Sequence, residues 1–589
     1  MLKTGFESVR LSDRWLAAVV FCVLTCSVAA RADEVQSRDL LPDDAVVLVE
    51  IDQPLQLLDH PIAKQLWATL QESHEAQRLY DSPEYDQLRA VVELLRQDSG
   101  LGWRDALQKA TAGGILFAAQ EGTPPKTTLV LTADTPKTLI QLGSFVKKLA
   151  EAQVLPGAKL PGTEAKTYRN LPYYKAGNGY YAVVGRRLIA TSSDDLMQKA
   201  FDRLIAVQKR NSDAIEAPVP IEKAPLARVT IDAKALRKSA GAEETLKIPT
   251  ANFAQVFLAG DTVDLARRSD RVVVEVFSTA KTLDLTVRFS ASKSGVTPGL
   301  EGFFAVGDGQ QAAPLLKLPN TLYATSWFRD YRAIWNGRAK LLTEASRKSV
   351  EAGDQTIMSQ LAVVGAGFRP SDMFKSLGTH FRFVVARQNK SVYKVKLDTR
   401  FPAAAFVIDL RDEEYFRTKV IPALRAAYGL ATISQQPRIL AKVAKHKKAE
   451  LLSLIFDDDD AAAAVGDRSR YNISPTFTVT RGHFVIGSTR EIVEQVIDEL
   501  DKQQAAEPKE RSVLTSRQLI LLPTAADLAK EFQSPLVRNI VFSQGLSVKE
   551  TEHELGVLLR IVSDLGQVSV TSGFDEQGYQ YRVKLGPVE

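Results

Sequence analysis

The stretch RRLIATSSDDLMQKAFDRL, Arg186 to Leu204, decides how this chain is built, because it returns as GHFVIGSTREIVEQVIDEL, Gly482 to Leu500, 296 positions later. Each copy passes from a short apolar run to small hydroxyl residues, then a carboxylate, then apolar positions at helical spacing. LIAT has the character of a buried strand. Ser192 or Ser193 stands where a helix N-cap belongs, its oxygen placed to accept from a first-turn amide. Asp194 and Asp195 fall at the positive end of the helix dipole. Leu196, Ala200 and Leu204 recur four apart and face inward; Ser488, Thr489 and Glu491 repeat the cap, and Ile492, Val496 and Leu500 the stripe. SSDD has the residue types of a catalytic cluster, but capping accounts for it.

Four further blocks recur in the same order. LLPDDAVVLVEID (Leu40 to Asp52) answers to KLPNTLYATSWFR (Lys317 to Arg329). GGILFAAQ (Gly113 to Gln120) answers to FRFVVARQ (Phe381 to Gln388), and the strand-into-helix Thr128 to Leu149 to Ala405 to Ala426. YYAVVG (Tyr180 to Gly185), just before the opening stretch, matches TFTVTR (Thr476 to Arg481). The hairpin Val272 to Phe289 matches Val568 to Leu585 without a gap. Five blocks in register predict a tandem duplication. Its period is far above that of solenoid repeats, so the expectation is two domains. Short turns between successive strands imply antiparallel sheet. Helices among such strands give α+β, with helices packed on one face. The expected layout is a signal peptide at 1–32, a first repeat at 33–306, a linker at 307–317 with little packing of its own, and a second repeat at 318–589. Between the third and fourth blocks the copies diverge, at Val154 to Asn170 and Lys442 to Ser469. The latter, with DDDDAAAA at its centre, is expected to contain a mobile surface loop.

The N-terminus has the pattern of a secretory signal. Lys3, Arg10 and Arg14 precede an unbroken sixteen-residue apolar run, Trp15 to Ala30, and ARA (Ala30 to Ala32) offers the cleavage site before Asp33. A membrane span needs about 20 residues, so cleavage is favoured over a retained anchor. Both cysteines, Cys22 and Cys26, lie in that segment, which leaves a mature chain without disulfide, thiol nucleophile or Cys-ligated metal. Export without cysteine favours a bacterial periplasm or cell exterior. Lys3, Arg10, Arg14 and Arg31 leave together with Glu7 and Asp13, so the net charge of +5 becomes +3. That balance argues against nucleic-acid binding, which needs a concentrated basic face.

The remaining chemistry is sparse. None of the six histidines, His60, His74, His380, His446, His483 and His553, is paired at metal-ligand spacing. No nucleophile elbow, P-loop or dinucleotide fingerprint occurs. No cofactor is expected. Asp457, Asp458, Asp459 and Asp460 are weak calcium candidates, because they lack the alternating ligands and glycine of a calcium loop; a solvated acidic loop is the simpler reading. The binding candidate is SWFRDYRAIW (Ser326 to Trp335). On one helix Trp327, Tyr331 and Trp335 would share a stripe beside Arg329 and Arg332, suited to stacking on sugar rings or anchoring a partner. Packing on the sheet is the competing and preferred reading.

LPDDAVVLVEIDQPLQLLDHPIAKQLW (Leu41 to Trp67) and GRRLIATSSDDLMQKAF (Gly185 to Phe201) resemble exported bacterial proteins grouped as domains of unknown function. The resemblance implies an extracytoplasmic location and assigns no activity or functional residue. The sequence therefore leads to an exported, non-enzymatic binding or envelope-organising protein whose partner is an envelope protein or glycan. The alternative is a cysteine-free extracytoplasmic hydrolase using carboxylate or serine chemistry.

Overall fold

The structure is a computed structural model and describes residues 36–151, 163–211, 225–307, 310–363, 369–397, 399–432, 439–458, 468–505 and 514–588. The expected signal segment and Asp459 and Asp460 lie outside the described residues. In chain order the first ten strands and their helices are β1 (Val47–Ile51), α1 (Pro54–Asp59), α2 (Pro61–Leu70), α3 (His74–Tyr80), α4 (Pro83–Ser99), α5 (Trp103–Ala110), β2 (Ile115–Gln120), β3 (Lys126–Thr132), α6 (Pro136–Glu151), β4 (Thr163–Tyr168), β5 (Leu171–Ala176), β6 (Gly179–Val184), β7 (Arg187–Thr191), α7 (Asp194–Asn211), β8 (Ala227–Asp232), α8 (Ala233–Ser239), α9 (Phe253–Arg268), β9 (Arg271–Ser278) and β10 (Leu283–Phe289). There follow β11 (Thr321–Phe328), α10 (Tyr331–Leu341), α11 (Glu344–Val363), α12 (Pro370–Ser376), β12 (Leu377–Ala386), β13 (Ala403–Leu410), α13 (Ile421–Thr432), β14 (Ile439–His446), β15 (Ala449–Phe456), β16 (Thr476–Thr480), β17 (His483–Gly487), α14 (Arg490–Ala505), β18 (Leu514–Leu521), α15 (Leu522–Glu531), α16 (Gln533–Gln544), α17 (Val548–Asp564), β19 (Gln567–Asp575) and β20 (Gly578–Gly586). No described helix is long and apolar enough to cross a membrane.

The chain divides into two units, one of residues up to Leu236 with Arg271–Leu285, the other of Arg237–Asp270 with Thr286–Glu589. The first unit's antiparallel ladder runs β9-β8-β1-β2-β3-β7-β6-β5-β4. The second runs β20-β19-β18-β11-β12-β13-β17-β16-β15-β14, also antiparallel. From β9 and from β19 onward, the two orders coincide strand for strand, and helices occupy corresponding intervals. The architecture is α+β.

The repeated stretch sits at the middle of each ladder. Thr128 pairs with Thr191 and Thr132 with Arg187; Ala405 pairs with Gly487 and Asp409 with His483, as the sequence match requires. Its two hydroxyls divide the labour. Ser192 and Ser488 accept from the amides of Thr127 and Ala404, tying the strand end to its neighbour. Ser193 and Thr489 cap the helix by accepting from Leu196 and Ile492. Leu196, Met197, Ala200, Phe201 and Leu204 are buried in α7, and Ile492, Val493, Val496, Ile497 and Leu500 in α14. Burying each large aliphatic side chain contributes about 2 kcal/mol.

Two block matches slip. Ladder pairing puts Val47 at the place of Tyr323, one residue from the sequence match with Ala324. It puts Ala118 at the place of Val384, two residues from the match with Ala386. A register shift in β11 between Thr321 and Tyr323 marks where the spacing differs. The one-residue slip matters because it exchanges faces: Leu48 and Ala324 are the residues on the α7 and α14 sides.

Helices cover both faces of the sheet, against the expected single face. Val130, Ile189 and Ala182 pack under α7, while Leu188, Val183 and Tyr181 pack with Leu139 of α6 on the opposite side. All five residues of β7 and of β16 are accordingly buried. A two-sided strand reads as a continuous run, which hides the second layer from the sequence.

The expected linker is packed: Ala312 and Leu316 are buried, and Leu316 joins the core beneath α14. The boundary at 306 also differs from the structural division. Val256, Phe257 and Leu265 of α9 pack with Ile334, Trp335 and Leu341 of α10. The diverging segments hold matching hairpins, β4–β5 and β14–β15. Lys442 to Phe456 lies in the second of these hairpins, and most of DDDDAAAA, where the loop is expected, lies outside the described residues.

Candidate functional site

An ionisable cluster in the second unit gathers at Asp409, near the end of β13. The backbone of β12 passes so close that a Cβ on Gly378 would lie 2.6 Å from the Asp409 Cβ. The register between Leu377 and Phe381 is irregular there, a bulge that turns His380 onto the carboxylate. His380 Nδ1 is 2.5 Å from Asp409 Oδ2. A two-residue turn at Arg481 and Gly482, both at positive φ, brings His483 opposite Asp409. His483 Nδ1 stands 2.9 Å from Oδ1, in ion-pair range but too poorly directed to make a hydrogen bond. Buried Arg382 adds a guanidinium 3.4 Å from Oδ1 and donates to Gln503 on α14, which donates on to the carbonyl of Leu315.

Burial pushes the Asp409 carboxyl up, but the two imidazoles and Arg382 outweigh it and hold the group well below the ordinary carboxylate range. Burial pulls the Arg382 guanidinium down, opposed by Asp409. A second group lies along α14. Asp498 is 2.9 Å from His446 Nε2 and 2.5 Å from Lys447, and Asp501 binds Lys447 at 3.0 Å and also Arg481. Burial raises Asp498, while Lys447 and His446 bring it below its usual range.

The corresponding seat in the first unit has different chemistry. Thr132 occupies the Asp409 position and Arg187 the His483 position. Thr132 Oγ1 and Ser37 Oγ are 2.7 Å apart, and Arg187 Nε donates to Ser37 Oγ at 3.0 Å. Gly113 makes the same close approach, its added Cβ falling 2.4 Å from Thr132 Cγ2. The scaffold repeats; the ionisable set does not.

An aspartate that orients an imidazole is two-thirds of a hydrolytic triad. Among the described residues, no hydroxyl is hydrogen-bonded to His380 or His483. The two rings and the carboxylate also lack the mutual spacing of a metal-binding set. Histidine placement was invisible in the sequence, because 103 residues separate the two rings and only strand pairing unites them. Gly378, beside a strand start, is the one local signal.

The aromatic candidates are distributed differently from the expected helical stripe. Trp327 lies on β11, and Asp330 ends that run by accepting from Ala333 as the cap of α10. Trp327 stacks on Phe381 at 5.9 Å, Tyr331 meets Phe257 and Phe381 at 5.2 Å each, and Trp335 packs on Phe374 at 5.6 Å. Their faces are taken by other rings, so they form core. Arg329 lies over Phe303 and pairs with Asp261 at 3.0 Å; Arg332 is exposed. Asp458 accepts from the amide of Lys394, and Asp457 precedes it without regular structure.

Two small hollows lie elsewhere among the described residues. One of about 180 Å³ lies at the start of α14, lined by Lys390, Tyr393, Ser474 and Arg490. The other, about 360 Å³, lies beside α1, lined by Asp52, Gln56, Asp59 and Gln108.

No family model matches the chain, and no curated protein does. Among solved structures, crystal forms IV and III of TP0453 match over 44% of this chain and 83% and 80% of theirs, at 10% identity. Their TM-scores of 0.22 and 0.21 leave the likeness without consequence for fold or function.

Proposed function

We propose that this is an exported, non-enzymatic protein that binds or organises a partner in the cell envelope. The observation that carries this reading is the apolar surface of the first unit's helical segment. Leu58, Trp67, Leu70, Leu79, Leu88, Leu94 and Trp103 are all exposed there, Trp67 and Leu88 by 56% each. Singly exposed apolar side chains are ordinary on a protein surface, but seven within one helical segment supply what a contact surface would need. The ionisable cluster at Asp409 supports the same reading by its saturation, since both carboxylate oxygens are engaged. The test is affinity capture from envelope extract with the natural chain and with Trp67→Glu combined with Leu88→Glu. Partners retained by the natural chain and lost by the variant are expected; identical capture by both removes this surface from the account. The second reading, hydrolysis, is favoured by the short His380–Asp409 contact. It requires hydrolysis of ester or glycoside substrates that Asp409→Asn abolishes.

A further inference from the structure

We propose that β14 is a docking edge for an extended, acidic segment of a partner polypeptide. It deepens the binding reading above but rests on different residues. Each of the eight residues of β14 pairs with β15 in unbroken register, from Ile439 with Phe456 to His446 with Ala449. Among the described residues its ladder register is with β15 alone, while β13 pairs with β12 and β17. The outer row of its N–H and C=O groups thus has no described sheet partner.

Sheet edges are usually guarded by shortness, proline, bulges or charge. ILAKVAKH has no proline, its register has no bulge, and it is longer than β4, the first unit's six-residue counterpart. Its guard is charge. Lys442 and Lys445 are exposed and make no ion pair among the described residues; Glu450, across the ladder from Lys445, pairs with Arg425, and the neighbouring His446 and Lys447 are held by Asp498 and Asp501. An odd spacing puts the two lysines on opposite faces, so both sides of an added strand would meet a cation. The same charges that repel the β14 of a second copy attract a strand bearing carboxylates. Between them Val443, 58% exposed, offers an apolar contact for one side chain of the incoming strand. Main-chain bonding would supply affinity and the lysines would supply choice.

The probe is an eight-residue peptide of valines with a glutamate at every third position, a spacing that puts carboxylates on both faces of a strand, with its lysine–valine counterpart as control, titrated by fluorescence anisotropy. The acidic peptide should bind saturably and more tightly than the basic one. Lys442→Glu with Lys445→Glu should weaken it about tenfold. Isotope-edited infrared spectra of the bound peptide should show strand frequencies. Equal affinity for both peptides, indifference to the double variant, or a bound peptide without strand signal would each overturn the proposal. Both lysines are exposed, and circular dichroism of the variant confirms its fold. Because envelope capture is read through Trp67 and Leu88, either proposal fails without the other.

Discussion

Asp409 shows how one residue can hold several elements at once: its carboxylate touches side chains from β12 and β17, and Arg382 links it to α14 through Gln503. Removing its charge leaves Arg382 buried with less compensation, so Asp409→Asn should cost about 2 kcal/mol in urea unfolding at neutral pH. The pH dependence follows from the direction of the shift. A carboxyl held low in the folded chain stabilises it above the unfolded value of about 4, and that stabilisation is lost progressively as pH falls below it. The natural chain should therefore lose stability between pH 4 and lower values more steeply than Asp409→Asn; parallel profiles would deny the cluster this role. Gly378→Ala forces a Cβ against Asp409 and should destabilise by about 1 to 3 kcal/mol, measured in the same way. Little of this was legible beforehand. The charged partners sit on strands far apart in sequence, and no local pattern announces a bulge.

At the scale of elements, the local signals that were legible are those with a short-range cause. The caps of α7 and α14 follow from hydroxyl chemistry within four residues, and both formed where the sequence placed them. Ser193→Ala and Thr489→Ala should each cost about 1 kcal/mol. Ser192→Ala and Ser488→Ala remove the acceptor for a neighbouring strand amide instead, and should cost about as much. Thermal unfolding of the four variants checks both pairs; a large effect in one copy and none in the other would mean that equal geometry conceals unequal roles. Elements went unread where two causes give one pattern. Trp327, Tyr331 and Trp335 have helical spacing, yet the period crosses a strand-to-helix junction at Asp330. The β14–β15 hairpin is hard to read in the sequence because lysines at an edge strand imitate a solvated segment, while its inner strand, ELLSLIF, lacks polar alternation.

For the whole molecule, the question is whether two ladders of the same order behave as two folding units. Leu204 and Leu500 occupy matching positions on α7 and α14, at 1% and 2% exposure, each in the central core of its own unit. Truncation to alanine at such sites costs about 3 kcal/mol, transfer and cavity together. If each unit is cooperative by itself, calorimetry of the natural chain should resolve two transitions. Leu204→Ala should then lower one of them and Leu500→Ala the other, by a few degrees each. The assignment can be made independent of which transition comes first, because the double variant should lower both by the sum of the single effects, as distant sites do. A single transition lowered equally by either substitution would mean that the chain unfolds as one body, with the shared strand order a matter of architecture and not of independent stability. The helix α9 sharpens the test, since it follows β8 in sequence but packs with α10. Phe257→Ala should accordingly move with Leu500→Ala and leave the Leu204 transition in place.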